Sequence, residues 1–538
     1  MTHLMLSLRL YLMPMIVCLW ACSSLYAQVA GRINGYVKDP SGGNVAGATV
    51  TATSVEQQLT RTAETDGTGY YNLLAMPPGV YRVSVESPGF EKQVQTGVTL
   101  TQGQTVRLDI AVRLSALQAE VTVTSQAVLV NTTNQTLSAL VDDRRVQDLP
   151  LNGRNVMGLA RVLPGVSTVS APQELTNTRS GPTMVVNGGR AVDNNFTFNG
   201  ANFTNFGQTT GMNYPPPDAV KEIRIQTHNF SSEYGNSAGS QVSVTSKTGT
   251  NTFHGSAWEF LRNEKLNARS FFQPRRPTSR QNQAGASAGL PIKKDKIFVF
   301  ASYQQLWNRP ESGSSVALVP TDPQRAGDFT SLSSRLRNPN NSLTGRPMLD
   351  SAGLPCVDRN IISASCINPA AKTILDKFIP RSPSGSVVSM TPTPRDNYNT
   401  MGRLDFLQNS KHNLYGHWFV DHYDQLFTSG NIQPFMTGSR MVDNKNFSIS
   451  STYTFSPTLL NELTVDYMHS YSSESANQHY PPRSLGINLD EGSLGEDLSI
   501  AVTGMFSLGV TNPSLQDYRN WHGRDSMSWI HGRHIMKW

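Results

Sequence analysis

The sequence predicts a mainly β protein: a small N-terminal β-sandwich, then a short α+β region, then a long series of antiparallel strands. Three observations carry this prediction. Short runs that alternate apolar and polar residues recur through residues 31–113, separated by clusters of Gly, Pro, Asp and Ser. Longer alternating runs follow after residue 250. Charged residues make up only 16% of the chain, which suits strands with one apolar and one polar face.

The first 27 residues are predicted to be a signal peptide. Arg9 supplies a positive charge ahead of an apolar stretch, 10–21, and Leu25-Tyr26-Ala27 approximates a small-residue cleavage site. The mature chain is therefore expected to begin at Gln28. The alternative is a lipoprotein box ending at Cys22, although the tryptophan two residues earlier fits such a box poorly.

Export and composition limit the compartment and the partners. No later stretch holds about 18 consecutive apolar residues, the length that a membrane-spanning helix needs. An exported chain without such a helix has three possible locations: the periplasm, the outside of the cell, or the outer membrane as a closed β-barrel. The net charge is +6, but the basic residues are scattered, so a nucleic-acid partner is not expected. Cys356 and Cys366 are the only mature cysteines, and we expect them to form a disulfide that closes an external loop.

Residues 28–113 form the predicted sandwich. The predicted strands are 33–38, 48–53, 70–74, 80–85 and 105–112. Gly35-Tyr36-Val37, Gly69-Tyr70-Tyr71 and Gly79-Val80-Tyr81 make this region resemble the carboxypeptidase regulatory-like domain, a sandwich with a starch-binding-like fold. No His-x-x-Glu or His-Glu-x-x-His pair is present, so the zinc ligands of a peptidase are missing. The resemblance implies a domain that binds carbohydrate or protein, or one that acts as a stabilising spacer.

The next region is predicted to mix helices and strands. Short helices are expected at 144–149 and 156–163, and a capped helical turn at 217–222 leads into a strand. The run from 219–225 through 233–239 to 242–247 is similar to the end of the plug domain in TonB-dependent outer-membrane receptors. Gly235 and Gly239 are expected to permit tight turns there.

The strands after residue 250 are predicted to form a barrel. In the clearest one, Phe447 and Ile449 face one way and Ser448 and Ser450 the other, as lipid outside and water or a plug inside would require. A soluble sandwich gives the same alternation, so periodicity alone favours a barrel only slightly. Residues 251–260 resemble the first barrel strand of the Oar-like branch of the receptor family, and 149–155 resemble the start of its plug.

The resemblance covers residues 31–538 and implies five segments. They are a signal peptide (1–27), the regulatory-like sandwich (28–113), a linker (114–130), the plug (131–250) and the N-terminal part of the barrel (251–538). Within the linker, Glu120-Val121-Thr122-Val123-Thr124 resembles a TonB box, the extended segment by which such receptors pair with TonB. An ordinary linker strand is the alternative.

The predicted function is reception or active transport of an unidentified ligand, a glycan or a peptide by analogy, with energy supplied through TonB and its inner-membrane complex. The expected surroundings are outer-membrane lipid outside and the N-terminal domain in the periplasm. A surface adhesin or carbohydrate-binding protein without transport is the alternative. No cofactor, metal or catalytic site is expected. Ser237 and Ser287 lie in Gly-x-Ser-x-Gly matches without the strand–turn–helix of a hydrolase, and His531 and His534 are a weak metal pair.

The chain is expected to be unable to close its barrel alone. A plugged transporter of this kind has about 22 strands, each of about 9–11 residues. About eight strands can be placed, and 307–395 is one long loop, within which Ala371, Ile374, Leu375 and Phe378 mark an amphipathic helix. The apparent last strand, 526–538, runs to the end of the chain. We therefore expect a fragment, or a truncated frame that needs a missing C-terminal half or partner chains.

Overall fold

The computed structural model describes residues 31–114, 121–124, 137–149, 151–167, 183–205, 207, 210–230, 235, 237–273, 275–311, 315–341, 344–428, 430–432, 437–477, 480–488, 499–509, 513–531 and 534–538. The predicted signal peptide and its cleavage site, Ala27-Gln28, lie outside these residues. No helix in the described part of the chain is long and apolar enough to span a bilayer.

The N-terminal region folds as two small sheets packed on a shared apolar core. One sheet has the order β4-β1-β7, with β8 also on β1, and the other has the order β3-β2-β5-β6-β9. The strands are β1 Gly31–Lys38, β2 Thr49–Ser54, β3 Thr60–Glu64, β4 Tyr70–Met76, β5 Gly79–Glu86, β6 Gln93–Leu100, β7 Thr105–Arg107, β8 Ile110–Ala111 and β9 Val121–Thr124. The prediction of one strand over 105–112 is wrong, because the structure has two short strands, β7 and β8, there. Between them, the side chain of Asp109 accepts a hydrogen bond from the Tyr36 N–H at 3.0 Å and interrupts the ladder.

The predicted plug contains a five-stranded sheet with the order β10-β17-β18-β13-β14. The predicted helix at 144–149 is α1, Asp143–Asp148, capped by Asp142. The stretches 156–163 and 217–222 contain 3-10 helices, Val156–Val162 and Pro217–Ala219, and a further two occur at Asn152–Arg154 and Ala191–Asp193. The strands are β10 Leu137–Val141, β11 Val166–Ser167, β12 Val185–Val186, β13 Asn194–Phe198, β14 Ala201–Asn202, β15 Thr204–Asn205, β16 Thr210–Gly211, β17 Val220–His228 and β18 Ser240–Ser246.

A nine-stranded antiparallel sheet, here called the wall, follows the plug in the order β19-β20-β21-β26-β27-β28-β29-β32-β33. Its strands are β19 His254–Asn263, β20 Ser279–Lys293, β21 Ile297–Pro310, β26 Arg395–Leu407, β27 His412–Thr428, β28 Thr437–Ser456, β29 Leu459–Ala476, β32 Ser514–His531 and β33 His534–Lys537. The predicted last strand, 526–538, is in fact the end of β32 and all of β33, which pair as a hairpin.

The two ends of the wall differ. At the near end, beside the sandwich, short turns at 294–296, 408–411 and 457–458 join the strands. At the far end the connections are long and carry their own structure. They contain β22 Ser315–Leu318, β23 Val357–Asp358, β24 Ile361–Ile362, β25 Ser386–Ser389, β30 Ile500–Val502, β31 Phe506–Leu508, α2 Asp322–Arg325, α3 Pro369–Phe378 and 3-10 helices at Glu264–Leu266, Ala364–Cys366 and Pro482–Leu485.

Helix α3 is the predicted amphipathic helix. The side chain of Asn368 caps it by accepting the N–H of Ala370 at 2.8 Å. Ile374 and Phe378 are buried as expected. Ala371 is not: it is exposed, and Ala370 faces the core instead. Ala370 lies one helical turn before Ile374, and it is the side chain of Ala370, not that of Ala371, that is covered.

Candidate functional site

A tight turn of the plug, Asn199-Gly200, lies against the inner face of the wall. Both residues have positive φ, 48° and 78°, as Asn-Gly requires in a two-residue hairpin. The Asn199 carbonyl accepts a hydrogen bond from the Tyr415 hydroxyl, and the Gly200 carbonyl accepts one from Arg524 Nη1, each at 2.9 Å. Arg403 Nη1 donates to Asn199 Oδ1 at 3.2 Å. Side chains from β26, β27 and β32 therefore converge on one turn.

Arg403 is a buried cation, and the wall neutralises it. Its Nη2 lies 2.8 Å from Asp405 Oδ1, with both side chains almost completely buried. The guanidinium also lies 4.5 Å from the centroid of the Tyr415 ring. Burying a charge costs several kcal/mol unless it is paired and hydrogen-bonded. The pair therefore keeps a cation beside the plug without leaving it unsatisfied.

Amide groups continue the contact between plug and wall. Asn446 Nδ2 donates to the Asn202 carbonyl at 3.3 Å. Asn205 Nδ2 donates to Ser470 Oγ at 3.0 Å. Farther along the plug, Asn213 Nδ2 donates to Asp421 Oδ2 at 3.1 Å. Water can replace most of these partners at small net cost, because a hydrogen bond between protein groups contributes only about 0.5–1.5 kcal/mol.

An aromatic cluster anchors the middle of the plug. The rings of Phe203 and Tyr214 lie 4.7 Å apart, and Phe203 lies 5.7 Å from Phe419 of the wall. Phe198 meets His417 of β27 edge-to-face at 5.0 Å. The cluster belongs to a core shared by the plug sheet and the wall. Such pairs add about 0.5–1.5 kcal/mol each beyond simple burial, so the cluster fixes the position of the plug while the polar contacts surround it.

Arg154, in the predicted start of the plug, joins three elements. It forms an ion pair with Asp218, and its guanidinium lies 4.3 Å from the Phe260 ring and 5.4 Å from the Trp258 ring of β19. Burial lowers the pKa of Arg154, and Asp218 opposes that shift. The residue therefore ties the first plug segment to the 3-10 helix before β17 and to the first wall strand.

One turn of the sandwich, directly after β6, binds the plug. The Gln102 N–H donates to the Glu222 carboxylate at 2.7 Å, and the Gln102 carbonyl accepts from Arg224 Nη1. Thr245 Oγ1 donates to Gln102 Oε1 at 2.9 Å. Burial raises the pKa of Glu222, and the Gln102 N–H, Arg224 and Lys221 oppose that rise. A single glutamine therefore uses its backbone and its side chain to hold strands β17 and β18.

Further contacts join the sandwich to the plug and to the near end of the wall. Lys221 Nζ lies 3.0 Å from Glu56 Oε2 of the sandwich, and Arg61 Nη2 donates to Asn413 Oδ1 at 2.7 Å. Leu59 packs in a small core with Phe298 and Leu407. A cavity of about 60 Å³ lies among the sandwich, the plug and the wall. That volume has room for a few water molecules.

The serines of the two Gly-x-Ser-x-Gly matches form hydrogen bonds with backbone carbonyls or with another serine. Ser237 Oγ donates to the carbonyls of Asp193 and Ser240, and Ser287 Oγ lies 3.0 Å from Ser256 Oγ on the neighbouring strand. Gly239 has no positive φ. A Cβ there would meet Asp193 O at 2.9 Å, so close approach, not the predicted tight turn, requires glycine. Among the described residues, no group of three or more His, Cys, Asp or Glu side chains could hold a metal.

Comparison with known proteins identifies two parts of the chain. Residues 245–538 match the outer membrane beta barrel domain, and residues 32–113 match the carboxypeptidase regulatory-like domain. The chain belongs to the outer membrane β-barrel domain family. The protein is located in the outer membrane.

The chain is similar to the TonB-dependent transporter Oar of Myxococcus xanthus, at 24% identity over 320 residues. The match covers 56% of this chain and 29% of that protein. Among solved structures, the outer membrane transporter YddB of Escherichia coli covers 73% of this chain and 45% of its own, at 10% identity and a TM-score of 0.45. The match to a ferric enterobactin receptor of Pseudomonas aeruginosa covers 74% of this chain and 47% of that receptor, at 10% identity and a TM-score of 0.42.

The connections at the far end of the wall share an apolar core that contains Phe378, Ile432 and Phe506. In the 311–394 connection, the Sγ atoms of Cys356 and Cys366 lie 1.98 Å apart and their Cα atoms 5.7 Å apart. His531 and His534 are register partners where β32 pairs with β33.

The segment that resembles a TonB box lies on the sandwich. Val121–Thr124 is strand β9, paired in parallel with β6 at the edge of the five-stranded sheet. Glu120 and the side chains of the other four residues lie outside what the structure describes. This pairing was not predicted from the sequence, because β6 itself was not predicted.

Two functional contacts were missed from the sequence. The Asn199-Gly200 turn carries a visible signal, since Asn-Gly between Phe196-Thr197-Phe198 and Ala201 is a strong hairpin pattern. The Gln102 contact has no local signal in the sequence, because the partners of Gln102 lie 120 or more residues away in the chain.

Proposed function

We propose that this outer-membrane protein is a TonB-dependent receptor that imports an external ligand. The observation that carries the proposal is the plug, which is held against the inner face of the wall by an aromatic anchor and many exchangeable polar contacts. A plug bound in this way is stable at rest and can shift when pulled, because water can take over the amide and carbonyl hydrogen bonds. The similarity to a TonB-dependent transporter supports the same interpretation.

The energy would enter through Glu120–Thr124. TonB would recognise this segment by strand addition, in which main-chain hydrogen bonds supply the affinity. The ligand would bind the outward loops, and a glycan or a peptide is proposed by analogy with regulatory-like domains. The Cys356–Cys366 disulfide would hold one of these loops. Closing so short a loop stabilises by about 2–3 kcal/mol at most, so it would shape the loop and not hold the barrel.

Substitution of Val123 tests the proposal. Val123→Pro should abolish binding of the purified periplasmic domain of TonB, because proline removes a ladder donor and bends the segment. Val123→Ser keeps the backbone donor and should bind within about threefold of the unsubstituted protein. Binding is measured by biolayer interferometry on the full chain in detergent micelles.

A cellular measurement separates transport from adhesion. Cells that produce the protein are offered fluorescent oligosaccharides and peptides, with and without a protonophore. Accumulation that requires the proton gradient and is lost in Val123→Pro supports transport. Surface binding that neither treatment changes would instead establish an adhesin.

A further inference from the structure

The connection between β19 and β20, residues 264–278 and here called the rim loop, exposes three large apolar side chains at the far end of the wall. Leu266, Phe271 and Phe272 are 82%, 84% and 90% exposed, the highest values of any large apolar side chain in the described part of the chain. The two phenylalanine rings meet edge-to-face, with centroids 5.1 Å apart. Exposed apolar groups that lie together mark a surface that contacts a partner or a membrane.

Polar contacts hold the rim loop in shape and leave the two rings outside. Arg269 Nη1 donates to the carbonyls of Phe271 and Gln273. Arg275 donates two hydrogen bonds to the carboxylate of Glu311, at 2.7 and 2.9 Å. The loop therefore pairs polar groups with one another and turns its aromatic groups away from the protein. This is the polarity of the outer face of the wall, not that of a loop surrounded by water.

The rim loop begins close to an apolar row on the outer face of the wall. Phe260 contacts Arg154 of the plug, so Leu261, the next residue of β19, points to the opposite, outer face. Leu261 and Trp307 are both register partners of Asn282, and they are 68% and 44% exposed. Tryptophan on the outer face of a transmembrane barrel lies where hydrocarbon meets headgroups. The loop starts at residue 264, about 10 Å farther along the strand, and so at the level of the headgroups.

The rim loop and the first residues of β20 carry an excess of positive charge. Residues 264–280 contain five cationic side chains and one carboxylate, and the Glu311 carboxylate neutralises one of the five. The cations are Lys265, Arg269, Arg275, Arg276 and Arg280. Cations beside exposed aromatic and aliphatic side chains are typical of segments that lie in a membrane interface, where lipid phosphates attract the cations. A second copy of the same loop would instead be repelled by its like charge.

We propose that the rim loop is a membrane anchor, whose apolar side chains insert among the headgroups and outermost acyl carbons and whose cations bind lipid phosphates. The occupant of this apolar surface is phosphate-bearing membrane lipid. The anchor goes beyond the proposed function and does not depend on TonB. It holds β19 and β20 at a fixed depth in the bilayer, because withdrawal of Phe271 and Phe272 into water would expose their apolar area.

Spin labels on the full chain measure the depth of the rim loop. Phe272→Cys or Ala268→Cys is introduced in a background with Cys356→Ser and Cys366→Ser, and Ala268→Cys leaves both rings in place. The labelled protein is reconstituted in vesicles of phosphatidylethanolamine and phosphatidylglycerol. Power saturation then compares collisions of the label with oxygen, which concentrates in hydrocarbon, and with a nickel chelate, which stays in water.

Two further positions calibrate the measurement in the same background. Leu463→Cys, on the outer face of the wall, is the lipid reference and verifies that the wall is inserted. Lys372→Cys, at an exposed position of α3, is the water reference at the far end. The ratio of oxygen to nickel collisions at 268 and 272 should exceed the ratio at 372 by at least about threefold, as an interfacial segment requires.

Two results would overturn the anchor. A ratio at 268 and 272 equal to the ratio at 372 would place the rim loop in water. Few collisions with either probe at 272 would mean that another part of the protein, or a second copy, covers the rings. Neither result would bear on the contact with TonB, which the Val123 variants test separately.

Discussion

The N-terminal sandwich and the wall use the same alternation of residues with opposite polarity. In β5 of the sandwich, Tyr81 and Val83 are 1% and 0% exposed, and the polar Arg82 between them faces outward. In β28 of the wall, Asn446 and Ser448 are 0% and 4% exposed, whereas Phe447 and Ile449 are 42% and 68% exposed. The sandwich hides its apolar face from water, and the wall turns its apolar face toward lipid.

This inversion explains why alternation alone could not separate a barrel from a soluble sandwich. A period of two residues reports that a strand has two different faces, but not which face meets solvent. The distinguishing features are the length of the wall strands, the short turns at the near end of the wall and the polar plug contacts on its inner face. Only the last of these needs the folded structure.

The largest expected difference between the two regions concerns the loss of an apolar side chain. Leu73→Ala in the sandwich core should lower the free energy of unfolding by about 2–5 kcal/mol, because it leaves a cavity at a buried site. Leu463→Ala on the outer face of the wall should cost less than about 1 kcal/mol, because lipid tails fill the space with groups as apolar as leucine. Urea unfolding of the full chain in phospholipid vesicles, with hydrogen exchange to locate each effect, gives the comparison. Equal losses of unfolding free energy in Leu73→Ala and Leu463→Ala would contradict the idea that the wall turns its apolar face outward.

Introducing a charge at an exposed position should reverse this order, so that the wall loses more stability than the sandwich. Ile449→Arg on the outer face should cost about 2–4 kcal/mol if the residue lies near the bilayer midplane, and less toward either interface. Val55→Arg, at an exposed position of the sandwich, should change stability by no more than about 0.5 kcal/mol. The measurement is again urea unfolding in vesicles. A wall that tolerates arginine at 449 as well as the sandwich does at 55 would place that face in water.

The sequence predicted the strand segments better than their partners. Strands β3 and β6 were missed: Thr60–Glu64 is mostly polar, and Gln93–Leu100 contains Gly97, which interrupts the strand pattern. The Asn-Gly turn was readable locally, but its wall partners, Arg403, Tyr415 and Arg524, lie 200 or more residues away. Such contacts depend on the topology of the wall, which no local pattern determines.

The third comparison concerns Glu222, where the sandwich contacts the plug. Glu222→Leu removes the acceptor for the Gln102 N–H and should cost about 1–3 kcal/mol, the usual penalty for an unsatisfied buried donor. Glu222→Gln keeps an acceptor and removes the buried charge, so it should cost less than Glu222→Leu at neutral pH. Hydrogen exchange at residues 101–104 and urea unfolding give the two measurements.

The pH dependence sharpens the same comparison. Burial raises the pKa of Glu222 in the folded protein, so the folded state binds this proton more tightly than the unfolded state. Its contribution to stability is therefore fully present below the ordinary glutamate pKa of about 4.3. That contribution is lost as pH rises through the raised value. The stability difference between Glu222→Gln and the unsubstituted protein should thus shift in favour of the glutamine variant as pH rises across this window, with Lys221 and Arg224 present in both. A difference that stays constant with pH would mean that the carboxylate is already well solvated, and that the sandwich does not seal this end of the plug.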